Sequence, residues 1–211
     1  KHWIVGRREA EQFELAHWMQ LLERNPNLVL ARHNDLTDED WRDVVTTVIE
    51  AERRLDEECL NVIDEAHYVA PQDEKLQQQL KWLATTGRGA KISAMWVTQR
   101  LTELDSTVIS QCVAWMLGGF KSDADRKKLR EPLDYTTDAH ATGGQDVPAL
   151  PEELYAPDEG AISLRKFTDD QDNVVGSEWI YSDDQGEMRR LNTANLQMEA
   201  EHFGAQGKPI H

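Results

Sequence analysis

The sequence predicts an α/β protein, with a mainly parallel sheet covered by helices and a small C-terminal β-hairpin extension. Two observations carry this. Over roughly the first 130 residues, short strand candidates alternate with segments of helical periodicity, and the strands are continuous apolar runs rather than alternating ones. That pattern belongs to parallel strands covered on both faces. After about residue 145 prolines and turn signals take over, and two β-rich stretches flank a tight turn. The division expected is a core over 1–145 and an extension over 146–211.

His2-Trp3-Ile4-Val5 is the first strand candidate. Residues 9–24 place Phe13, Leu15, Trp18, Met19, Leu21 and Leu22 at helical spacing, and Asn25-Pro26-Asn27 ends the run. Leu28–Ala31 reads as a buried strand. Thr37 followed by Asp40 is a capping-box variant that opens a helix over about 38–56, with Trp41, Val44, Val45, Val48 and Ile49 on its apolar face. Cys59–Ile63 is a strand, 73–87 a helix, Ile92–Gln99 a strand, 104–111 a short helix and Val113–Leu117 a further core strand. Asp123–Leu129 is helical. Beyond the proline-rich linker, Ala161–Phe167 and Val174–Tyr181 read as strands, and Met188–Leu191 pairs back across the turn Ser182–Gly186. The tail after 195 carries weak signals.

The chain has 211 residues, 23 Lys+Arg against 39 Asp+Glu, and a formal net charge of −16. Read naively, that balance argues against nucleic acid and membrane surfaces as partners. The acids are spread along the chain, and 9 Lys stand against 14 Arg. A dispersed acidic surface suits a protein kept soluble in a high-salt cytoplasm, where self-repulsion is screened. No apolar run approaches the ~20 residues of a membrane span. Two cysteines make no disulfide framework, so a reducing compartment is expected. Seven histidines lack ligand spacing, and Trp18, Trp41, Trp82, Trp96 and Trp115 read as core. Arg126, Lys127, Lys128 and Arg130 form a dense basic cluster that also suits a solvated helix face.

The sharpest chemical feature is Leu60–His67 (LNVIDEAH), an apolar strand that ends in two carboxylates. Ligands of open α/β sheets bind at that edge. Asp64 can hold Mg²⁺, a cation that prefers hard oxygen ligands. Glu65 can orient and deprotonate a water for attack on a terminal phosphate. The plain alternative is a pair of acids placed at a helix N-terminus for dipole reasons. His67 reads as a structural or coupling residue. The next strand ends in Thr98-Gln99-Arg100, where Gln99 can sense a phosphate. Between the strands, Gly87-Arg88-Gly89 exposes an Arg able to reach a neighbouring subunit, or simply to decorate a helix end. The chain contains no G-x-x-x-x-G-K-[ST] phosphate-cradling motif.

LNVIDEAHYVAP (60–71) and LATTGRGAKISAMWVTQRLTELDSTVISQ (83–111) resemble the HerA/FtsK superfamily of P-loop ATPases, with about 28–130 carrying the likeness. The whole chain looks most like haloarchaeal and haloarchaeal-virus ATP-binding proteins of that group. The resemblance implies a RecA-like three-layer core, ATP and Mg²⁺ as cofactors, double-stranded DNA as partner and a homo-oligomeric, hexameric ring. It matches Asp64 and Glu65 to the Walker B pair, Gln99 to the sensor and Arg88 to an Arg acting in trans. Thr98 and Arg100 flank the sensor. The expected function is an ATP-hydrolysing DNA translocase or packaging motor, cytoplasmic or virion-associated. The alternative is a degenerate ATPase-fold scaffold without turnover. The missing Walker A implies that the chain starts just after its phosphate loop, or has lost that loop. The DEAH string also occurs in superfamily 2 helicases, but the second RecA-like domain they need does not fit the remaining length.

Overall fold

In the computed structural model, which describes residues 1–196 and the backbone of 202–203 and 209–210, β1 (His2–Val5) pairs in parallel with β2 (Val29–Arg32), His2 opposite Val29. The helix expected over 9–24 is two helices, α1 (Arg7–Gln12) and α2 (Leu15–Arg24). Phe13 leaves helical dihedrals at the break. Its ring meets Trp18 edge-on at 5.1 Å and lies 6.3 Å from Trp3. Tertiary aromatic packing has overridden a continuous helical pattern there.

The longest helix, α3 (Asp38–Leu55), begins at the expected cap. The Thr37 hydroxyl accepts from the Asp40 N–H at 3.1 Å, and the Asp40 carboxylate accepts from the Thr37 N–H at 2.9 Å. Val44, Val48 and Ala51 of this helix join Val5, Trp18 and Leu36 in one buried cluster. The helix ends at Asp56 in the left-handed region, and β3 (Cys59–Ile63) follows. A short α4 (Ala66–Val69) leads towards α5 (Gln78–Thr85). The expected helix start at 73 fails because this stretch bonds to α3 side chains. Glu74 pairs with Arg42 at 2.9 Å, and the Gln77 amide donates to Asp43 at 3.1 Å. A 3₁₀ turn, Gly87–Ala90, then enters β4 (Ile92–Trp96). A Cβ on Gly87 would lie 2.6 Å from the Ile92 carbonyl oxygen, so glycine is required there. The segment closes with α6 (Ser106–Gln111), capped by Asp105.

β3 and β4 pair in parallel, Val62 opposite Met95. Ile63 and Ile92 are buried on one face. The other face carries Leu60, Val62 and Met95 at 60, 61 and 52% exposure. Apolar runs led to the expectation of cover on both faces; among the described residues one face is open. A run of apolar residues reports what a strand can bury, whereas cover depends on which elements pack there.

The chain divides into two compact units, Lys1–Cys112 and Val113–His211. The boundary expected at 145–146 falls inside the second. β5 (Ala114–Leu117), expected as another core strand of the parallel sheet, pairs antiparallel with β7 (Val174–Asp183). Between them in sequence come α7 (Asp123–Lys128) and β6 (Lys166–Thr168), with β6 also antiparallel to β7. On its other side β7 takes β8 (Met188–Asn192), the expected hairpin. The strand expected over 161–167 shrinks because its first residues bond to loops instead. The Ser163 N–H donates to Gln145, the Leu164 N–H to Ala139, and the Ala161 carbonyl accepts from Val147. Backbone pairs Pro209–Ile210 (β10) with His202–Phe203 (β9); most of the tail expectation lies outside the described residues. The result is a mixed α/β fold with parallel sheets and a small antiparallel sheet.

In the second unit, Glu178 of β7 is 3% exposed and held between two guanidinium groups, Arg165 at 2.8 Å and Arg190 at 2.6 Å. Burial opposes its charge, but the hydrogen bonds from Arg165 and Arg190 outweigh that and bring its pKa down to about 2. His140, fully buried, is pushed by desolvation down to about 4. Its Nδ1 lies 2.9 Å from the Gly118 carbonyl, and its Nε2 lies 2.7 Å from the Tyr135 hydroxyl.

Candidate active site at the tips of two parallel strands

The β3–β4 register brings two chemically loaded strand ends together. The ladder continues past the strands: the Val97 N–H donates to the Ile63 carbonyl and the Ala66 N–H donates to the Val97 carbonyl, each at 2.9 Å. Asp64-Glu65 is thereby clamped beside Val97-Thr98 at the C-terminal edge of the pair, the edge where open α/β sheets bind ligands.

Glu65 itself is unusual. It occupies the left-handed region at φ 47°, ψ 47°, and serves as the N-cap residue of α4. A side chain in that region costs on the order of 1 kcal/mol and persists only when its surroundings impose it. Here they do. The Asp64 carboxylate accepts from the Glu65 N–H at 2.9 Å, and the Glu65 carbonyl accepts from Tyr68. The sharp turn lets both acids leave the strand end, with the Glu65 side chain 43% exposed and Asp64 open to solvent.

Beneath them lies His67, 4% exposed, its ring against Tyr68 at 4.2 Å between centroids. Its Nδ1 is 3.0 Å from the Thr98 hydroxyl and 3.4 Å from the nearer Glu65 carboxylate oxygen. Thr98 is itself fixed, since its hydroxyl accepts from the Arg100 N–H at 3.0 Å. Arg100 turns outward to Glu103, whose hydrogen bond raises the guanidinium pKa further. Gln99 is exposed next to Thr98.

Asp64, Glu65, Thr98 and Gln99 thus share one edge. Arg88 does not. It lies in the turn before β4, beyond the N-terminal end of a five-residue strand, about 16 Å of strand length from the acidic edge. The basic cluster of the second unit is a short helix surface, and its Arg126 pairs with Asp123. Sequence reasoning singled out Asp64, Glu65 and Gln99, and the β3–β4 register sets them at one edge. That reasoning missed the left-handed turn at Glu65 and the His67–Thr98 bond, for which the sequence offers only a His three residues after the first acid.

Asp64 is suited to a divalent cation in one respect. Its Oδ1 is taken by the Glu65 N–H, while Oδ2 has no protein partner among the described residues. One carboxylate completed by phosphate and water oxygens is how Mg²⁺ is commonly held. Among the described residues no group of three or more His, Cys, Asp or Glu is placed to hold a metal. Nor is any described helix long and apolar enough to cross a membrane.

No family model matches the chain, and no curated protein does. Solved structures do. The genome packaging NTPase B204 from Sulfolobus turreted icosahedral virus 2 in complex with sulfate gives a TM-score of 0.52 at 11% identity, covering 90% of this chain and 79% of that one. The same protein in complex with AMPPCP gives 0.51 at 12%, covering 90% and 80%. At such identity the likeness is one of fold alone. The chain has a fold similar to that of a viral genome packaging NTPase.

Proposed function

We propose that this chain is a subunit of an ATP-hydrolysing motor that packages or translocates double-stranded DNA, acting in a hexameric ring. The observation that carries the reading is the paired edge, with Asp64-Glu65 and Thr98-Gln99 locked side by side on a fold like that of a packaging NTPase. Asp64 would hold Mg²⁺ through its open oxygen, and the ion would neutralise charge on the nucleotide phosphates. Glu65, 43% exposed at the edge, would accept a proton from water. Gln99 would read the terminal phosphate. Arg88 lies at the opposite end of the strands, so its place in this reading is on a neighbouring subunit's site, as a trans-acting arginine. The acid excess belongs to the surface and to a salt-rich setting rather than to the DNA contact.

The test is Glu65→Gln in the full-length protein. ATP turnover should fall by about 10²- to 10⁴-fold with nucleotide affinity retained. Turnover at the wild-type rate would overturn the assignment.

A second reading has its own support. These 211 residues hold no phosphate-cradling motif. A scaffold built on a degenerate ATPase fold would leave the edge unused, and the full-length protein would then bind no labelled ATP analogue in the presence of Mg²⁺.

A further inference from the structure

Between the two strand tips, one buried side chain touches both. The His67 Nδ1 sits 3.0 Å from Thr98 Oγ1 and 3.4 Å from Glu65 Oε2. A carboxylate can only accept, and the Thr98 hydroxyl has a second lone pair beside the one used by the Arg100 N–H. A proton on Nδ1 can therefore be donated to Thr98, with the Glu65 carboxylate oxygen beside it but just out of bonding range. That tautomer leaves Nε2 as a bare acceptor, and Nε2 is buried with no hydrogen-bond partner. An unpaired buried nitrogen costs free energy, so packing alone would favour an apolar side chain here. The arrangement gains something only on its Nδ1 side.

We infer that His67 is a positioning residue. It ties the Glu65 carboxylate to Thr98, so that a displacement of the β4 tip at Thr98-Gln99 is passed to the group placed to activate water. The contact to Thr98 is short and the contact to Glu65 long, beyond good hydrogen-bond range. A shift of the imidazole by a few tenths of an ångström towards Glu65 closes that gap. The left-handed backbone at Glu65 makes the coupling stiff, because the residue cannot slide along a regular helix to escape it. This inference rests on the ATPase reading above, and it assigns to that site its internal linkage.

The experiment uses the full-length protein and measures kcat and KM for ATP, together with thermal unfolding. Asn places an amide N–H close to where the imidazole Nδ1 lies, whereas Leu keeps bulk and removes the donor. His67→Leu should lower kcat about 10- to 100-fold with KM within about threefold, the size of effect seen when an outer-shell partner is lost. His67→Asn should restore most of that loss. Thr98→Val, which removes the hydroxyl, should lose more rate than Thr98→Ser, which keeps it. The double variant His67→Leu/Thr98→Val should be no slower than His67→Leu alone, since both cut one linkage. The inference is overturned if His67→Asn is as slow as His67→Leu, or if the two losses multiply, because either result describes packing. It is also overturned if His67→Leu turns over at the wild-type rate while Glu65→Gln stays dead. Should His67→Leu not fold, the Thr98→Ser and Thr98→Val pair decides by the same split: a rate lower in Val than in Ser supports the linkage, equal rates reject it. Wild-type turnover in Glu65→Gln would instead sink the ATPase reading itself.

Discussion

The first unit keeps the two acids of its strand tip in reach of water and buries an apolar cluster; the second locks a carboxylate between two guanidinium groups inside. In residues 1–112 one buried cluster is Val5, Trp18, Leu36, Val44, Val48 and Ala51, and the candidate acids Asp64 and Glu65 stand at a strand tip within reach of water. In residues 113–196 Glu178 lies at 3% exposure, gripped by Arg165 and by Arg190, which also donates to the carbonyls of Leu154, Ile162 and Ser163. One unit leaves an apolar sheet face open and keeps the Asp64-Glu65 carboxylates reachable. The other uses a polar cluster to staple β7, β8 and the loop at 154–165 together. Apolar packing is non-directional and tolerates exchange, whereas a buried ion cluster specifies its partners atom by atom.

Removing one arm of that cluster should give the largest effect. Arg190→Met leaves Glu178 buried with half its partners, which costs about 3–5 kcal/mol. Urea unfolding followed by hydrogen exchange should place the loss in residues 113–196. The double replacement Glu178→Leu/Arg190→Met should recover much of it. A single variant as stable as wild type would erase the contrast between the units.

Acid should act next, and again on the second unit. His140 has a folded pKa of about 4, below the usual 6.5, so between those values the unfolded chain binds a proton that the folded one refuses. Its contribution is complete above pH 6.5 and is lost as pH falls towards 4, about 3 kcal/mol in all. Glu178, at about 2 instead of 4.5, adds a similar loss as pH falls from 4.5 towards 2. Stability measured against pH should begin to decline near 6.5, and His140→Gln should flatten that upper part of the curve.

The smallest effect belongs to the open face of the first unit. Val62→Thr exchanges a 61% exposed side chain for a polar one of similar shape, so it should change stability by less than about 0.5 kcal/mol. Light scattering should nevertheless show less self-association, because exposed apolar strand faces are sticky. A loss of several kcal/mol would mean that the face is covered.

Parts of the site were legible because their determinants are local. An apolar strand followed by Asp64-Glu65, and a second ending in Thr98-Gln99, are visible as strings, and parallel pairing then puts both at one edge. Arg88 shows the limit of that reasoning. Its glycine-flanked loop lies between the same two strands in sequence, yet a loop that enters a parallel strand sits at the opposite end from a loop that leaves one. The left-handed turn at Glu65 left no trace either, since Glu is not a residue that prefers it.

The sequence by itself determined the helix that starts at Thr37, the strands at 2–5 and 59–63, the hairpin near 186, and the two acids at a strand tip. Each depends on residues within one or two turns of chain, where capping, periodicity and turn preferences act. Tertiary structure decided the rest: that β5 joins β7 across more than 60 residues and runs antiparallel to it, that Phe13 breaks a helix to reach Trp3 and Trp18, and that Glu178 finds two arginines. It also decided that His67 stands between Glu65 and Thr98. Those choices turn on which surfaces meet, and a strand's own residues state how much it can bury without naming the partner that buries it.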